Sequence, residues 1–172
     1  MKNNIEFIPY VEVDGIRTFK DSFIASLYNR IVKEGNGHIF NDGQIQTDLA
    51  FLHAMKYNSQ LYLVYFDNDL IGMCWLNRIE RHNARVHWCG FNTGSPRKLV
   101  LAGRKFLKDI SKYYDVIIGY TPKSNLEAVR YSMMCGMKYA AEVPKLCWNY
   151  KTGKSETGII SYYVRENQDE NL

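Results

Sequence analysis

The chain has 172 residues, 46% of them hydrophobic and 14% aromatic, which suits one packed domain rather than a disordered chain. Its 22 Lys and Arg against 18 Asp and Glu leave a net charge of +4, which permits an anionic ligand such as a nucleotide phosphate but gives no argument for nucleic-acid binding. The four cysteines, at 74, 89, 135 and 147, have neither zinc-knuckle nor redox-pair spacing, and no apolar run approaches membrane-spanning length, so the expectation is a reduced, cytoplasmic protein.

In chain order, Glu6–Val13 (EFIPYVEV) reads as a strand closed by the Asp14-Gly15 turn. Thr18 and Asp21 resemble a helix cap and an acidic first turn. Phe19, Phe23, Leu27 and Ile31 follow at helical spacing up to Gly35. A second helix is predicted over Gln44–Tyr57, with Ile45, Leu49, Leu52 and Met55 inward. The period then changes to that of strands: Leu61–Phe66, a turn at Asp67-Asn68-Asp69, Leu70–Ile79 and Arg85–Phe91. Lys98–Tyr114 is an amphipathic helix, with Leu99, Gly103, Phe106, Ile110 and Tyr113 on its apolar side. Val116–Tyr120 is short, apolar and β-branched, as a central strand is. Ser124 and Glu127 read as a capping box for the next helix. Strands over Tyr139–Tyr150 and Thr157–Val164 complete the domain, taken as residues 1–165, and 166–172 reads as a polar, flexible tail. The order β, α, α, β, β, β, α, β, α, β, β predicts an α/β (α+β) fold with one central mixed sheet and helices on both faces.

The stretch Ser124–Tyr139, SNLEAVRYSMMCGMKY, carries a specific likeness. Asn125, Ala128, Gly136 and Met137 fall on a pattern found in GNAT-type N-acetyltransferases, and the chain resembles that superfamily from about Glu6 to Val164. The resemblance implies a cofactor, acetyl-CoA, and three catalytic devices. The first is a tyrosine that protonates the departing CoA thiolate. Here Ser132 occupies its place, and a serine hydroxyl is a far weaker acid than a phenol. Tyr131 is adjacent, but one helical residue turns a side chain by about 100°, so Tyr131 is expected to pack against the sheet. The second is a pyrophosphate loop, whose best local match is Arg97-Lys-Leu-Val-Leu-Ala102. Val100 stands where glycine is usual, and its branched chain is expected to crowd a phosphate and weaken binding. If acetyl-CoA binds, Arg97, Lys98, Ala102, Gly103 and Asn125 are the candidate residues. The third is a base, for which His87 is the candidate, on one strand face with Arg85, Cys89 and Phe91. The four histidines show no ligand spacing with the cysteines, and no metal is predicted.

Two functional readings remain. With the tyrosine absent and the loop altered, the first is a non-catalytic scaffold. In overall size and composition the chain is similar to small GNAT-like head-assembly proteins of short-tailed bacteriophages. That reading implies virion components as partners and the host cytoplasm as location. The alternative is an acetyl-CoA-dependent N-acetyltransferase acting on an amine of a small molecule or protein, with His87 and Ser132 as catalytic candidates. Neither reading calls for nucleic acid or membrane.

Overall fold

The structure, a computed structural model, describes residues 4–40 and 42–165. The elements are β1 (Ile5–Pro9), a two-rung hairpin β2 (Glu12–Val13) and β3 (Ile16–Arg17), α1 (Asp21–Lys33), a 3-10 turn (Gly37–Phe40), α2 (Asp48–Tyr57), β4 (Gln60–Phe66), β5 (Asp69–Glu80), β6 (Asn83–Gly90), α3 (Pro96–Ile110), β7 (Val116–Pro122), α4 (Leu126–Met134), β8 (Lys138–Asn149) and β9 (Lys154–Val164). Among the described residues the main sheet has seven strands, in the order β1-β4-β5-β6-β7-β9-β8. Every neighbouring pair is antiparallel except β6 and β7, which are parallel. The predicted mixed sheet is what forms, with α3 as the crossover between its two parallel strands.

Alternation along the strands divides the core. Leu61, Leu63, Met73, Trp75, Cys89 and Phe91 pack with Ile24, Leu27 and Ile31 of α1 and Phe51 and Met55 of α2. Val64, Phe66, Cys74, Leu76, Ala84 and Ile117 pack on the opposite face with Ala102, Phe106 and Ile110 of α3 and with Cys135 and Met137 after α4.

Several boundaries differ from the sequence expectation for identifiable reasons. Thr18 does not cap α1: its hydroxyl donates to the Pro9 carbonyl at 2.7 Å and accepts from the Val11 amide at 3.1 Å, fastening the β2–β3 hairpin. The helix starts at Asp21, whose carboxylate accepts from the Tyr10 hydroxyl and pairs with Lys56 at 3.0 Å. Thr47 caps α2, so that helix begins later than predicted, and Leu49 on its outer side is 70% exposed rather than inward. Tyr113 lies past the end of α3 and is also exposed. At α4 the cap is Asn125, whose side chain accepts from the Ala128 amide at 3.1 Å. Ser124 donates instead to Glu156 of β9. Gly136, at φ +101°, ends α4, and the Met137 amide returns to the Ser132 carbonyl at 3.1 Å, closing the helix as the glycine predicted. The predicted tail, 166–172, lies outside the described residues.

Candidate active site

The parallel pair that the topology requires is short. β6 and β7 are paired only from Asn83 to Arg85 against Val116 to Ile118, with no rung beyond Arg85. The Phe91 amide donates to the Ile71 carbonyl at 2.7 Å, and the β5–β6 register runs unbroken from Gly72↔Gly90 to Asn77↔Arg85. In an antiparallel ladder bonded and non-bonded pairs alternate. Val86, Trp88 and Gly90 therefore turn their amide and carbonyl groups away from β5, toward the fork. The Gly90 carbonyl accepts from the Asn36 side chain at 3.1 Å. Trp88 adds a buried indole N–H with no partner among the described residues.

α3 begins beyond the wide end of β6. Ser95 is its cap, with its hydroxyl 3.4 Å from the Lys98 amide, and Pro96 opens the first turn. The preceding loop is held from α1. Glu34 accepts from the Asn92 amide at 2.8 Å, and Arg30 pairs with Glu34, reaches the Thr93 hydroxyl at 3.1 Å and lies 4.0 Å over the Phe91 ring. Among the described residues the amides of Thr93, Ser95 and Arg97 have no acceptor, and they stand at the positive end of a 15-residue helix.

The sequence-predicted residues separate at this point. Arg97 is exposed at the first turn of α3. Lys98 leans back, its ammonium 4.9 Å over the Phe66 ring and 4.0 Å from Asp69. Ala102 and Gly103 are not at the loop but inside α3, buried. A Cβ on Gly103 would stand 2.5 Å from the Tyr131 hydroxyl and closer still to the Cys135 sulfur, so the glycine serves the contact between α3 and α4. Val100, 9% exposed, also faces the core from within α3, away from the unpaired amides, so the expected crowding of a phosphate does not arise. Asn125 caps α4.

The Tyr131 hydroxyl donates to the Leu99 carbonyl at 3.2 Å, and its ring lies 5.6 Å from Trp88. Burial, reinforced by neighbouring Cys135, pushes its phenol well above the ordinary range, making it a poor acid. The Ser132 hydroxyl donates to the Val129 carbonyl at 2.8 Å within its own helix.

His87 lies on the other face of β6. Its ring stacks on Trp75 at 4.9 Å with a 2° interplanar angle, and its Nε2 is 3.0 Å from Asn77 Oδ1. With that oxygen as acceptor, Nε2 carries the hydrogen and Nδ1 keeps a lone pair. Burial, with Arg85 and Arg78 nearby, lowers its pKa to about 4, so the ring is neutral at physiological pH. His87, Trp75 and Asn77 form one wall of a cavity of about 300 Å³ that α2 and the segment before it complete with Phe40, Asp42 and Met55. Sequence reasoning found His87 but missed Asn77 and Trp75. Their registers, Asn77↔Arg85 and Trp75↔His87, would have placed them beside it once β5 and β6 were paired.

Solved acetyltransferases share this arrangement of elements. RimL, the ribosomal L7/L12 α-N-protein acetyltransferase in complex with coenzyme A, superposes with a TM-score of 0.67 at 8% identity over 93% of both chains. MccE, a microcin C7 self-immunity acetyltransferase in complex with acetyl-CoA and AMP, gives 0.65 at 12% identity, over 85% of this chain and 89% of its own. A point mutant of SpeG, the spermidine N-acetyltransferase of Vibrio cholerae, gives 0.61 at 13% identity, over 94% of this chain and 93% of its own. The fold is the GNAT fold. No family model matches the chain, and no curated protein matches it in sequence. The reading as a non-catalytic bacteriophage head-assembly protein is overturned: the solved structures that share the fold are acetyltransferases, and nothing points to virion components as partners. Among the described residues no helix is long and apolar enough to cross a membrane.

Proposed function

We propose that the chain is an acetyl-CoA-dependent N-acetyltransferase. The observation that carries the proposal is the fork: parallel strands paired over three rungs, with no rung beyond Arg85, and the amino end of α3 past the open end. The groups present suit the cofactor. Thr93, Ser95 and Arg97 offer amides to a pyrophosphate, the Arg97 guanidinium adds charge, and Trp88, with the Gly90 amide, offers backbone partners to an extended amide-bearing arm. Bound acetyl-CoA would supply the thioester whose acetyl group passes to an amine.

His87 is the base in this reading. Its neutral ring keeps the Nδ1 lone pair free, and a nitrogen that attacks a carbonyl gains positive charge and becomes more acidic, so even a weakly basic imidazole can take its proton. Ser132 and Tyr131 both spend their hydroxyl protons on helix carbonyls. Neither serves as the acid, and the thiolate leaves unassisted, which a thiol pKa of about 8.5 allows. Calorimetric titration with acetyl-CoA tests the reading. Binding in the micromolar range, weakened by Arg97→Ala, is expected. Absence of binding at millimolar cofactor would overturn it.

A further inference from the structure

Resting on the acetyltransferase reading, the inference concerns the acceptor. We propose that the amine carries a carboxylate within a few bonds of its nitrogen, and that Arg85 is the residue that reads this anion. Arg85 occupies the last paired rung of the fork, opposite Ile118, and lies two residues from His87 on the same face of β6, about 6.8 Å away along the strand. Its guanidinium is partly buried and lies 3.9 Å over the Tyr120 ring. Among the described residues no carboxylate comes within ion-pair distance of it, and the same holds for Arg78, held nearby in a left-handed conformation at φ +47°. Glu156 accepts from Ser124 and Asn149, and Asp42, which lines the His87 cavity, accepts from the Gln44 amide.

A partly desolvated guanidinium without an acid is a costly arrangement unless a ligand supplies the anion. Arginine's fork matches a single carboxylate in bidentate geometry. An amine at His87 with its carboxylate at Arg85 spans a few bonds, since the two residues are two apart on one strand face; His87 lines a cavity of about 300 Å³, and Arg85 lies outside that lining, over Tyr120. The substrate class is therefore a free amino carboxylate. A polyamine would set its charges against Arg85 and Arg78.

The test measures CoA release with matched pairs, alanine against alaninamide and β-alanine against its amide, together with spermidine. The carboxylate member is expected to have a kcat/KM at least tenfold higher. Arg85→Gln should bring that ratio near one through KM, and Arg85→Lys should restore part of it, with circular dichroism checking the fold of each variant. A ratio near one in the natural chain, an unchanged ratio in Arg85→Gln, or preference for spermidine would overturn the inference. If no amine is acetylated, calorimetry with the same pairs decides. Tighter binding of the carboxylates, lost in Arg85→Gln, upholds the anion site while the acetyltransferase reading fails. Equal or absent binding rejects the anion site.

Discussion

On one face of β6, Val86 and Trp88 lie against α3 and α4, where Gly103 lets Tyr131 and Cys135 approach the α3 backbone. On the other face, Arg85 lies over Tyr120, and His87 faces a cavity that α2 helps to close. The first face holds Tyr131, the aromatic hydroxyl adjacent to the family's acid position, and spends it on packing. The second holds a neutral imidazole with a free lone pair. Side chains one residue apart on a strand thus divide between a structural and a chemical environment, because successive residues point to opposite sides of the sheet.

The largest break in this contrast should come from His87→Ala. Loss of a general base is typically worth about a hundredfold or more in kcat. Acetyl-CoA affinity should remain, as calorimetry would show. The packed face should respond in stability instead. Gly103→Leu forces atoms into the space held by Tyr131 and Cys135, and overpacking of this kind costs about 1–3 kcal/mol; the midpoint of thermal unfolding reports it.

pH separates the faces further. The folded pKa of His87, about 4, lies below its unfolded value near 6.5, so between these values the unfolded chain binds the extra proton. The His87 contribution to stability is complete above about pH 6.5 and is lost progressively as pH falls toward 4, at up to about 1.4 kcal/mol per unit. Denaturant titrations across that window should show the slope, and His87→Gln should remove its share. Tyr131→Phe should be milder. It deletes one hydrogen bond to the Leu99 carbonyl, worth about 1 kcal/mol, and leaves turnover near that of the natural chain; a large loss of turnover in a folded variant would make Tyr131 the acid. Ser132→Ala is the smallest change, expected within about 0.5 kcal/mol in stability and without effect on rate.

Much of the fold was legible in the chain. The switch from helical spacing to strand runs at Leu61, the β-branched run at Val116–Tyr120 and the glycine stop at Gly136 are local signals, and local signals survive folding when the core needs what they propose. The caps were less legible. Ser124 and Asn125 are both good cap residues, and the choice between them fell to Asn125 because Glu156, 32 residues away, takes the Ser124 hydroxyl. Thr18 was lost to the Pro9 carbonyl in the same way.

The sequence by itself determined the element order, the strand face shared by Arg85 and His87, and the absence of a tyrosine at position 132, because these depend on residue type and spacing along the chain. Tertiary structure alone decided that Val100, Ala102 and Gly103 belong to the core rather than to a phosphate loop, since the start of α3 depends on where Ser95 and Pro96 leave β6. It alone brought Asn77 and Trp75 to His87, set Tyr120 beneath Arg85, and limited the β6–β7 pairing to three rungs. Those facts arise from strand register and from contacts between residues far apart in the chain, which no local pattern encodes.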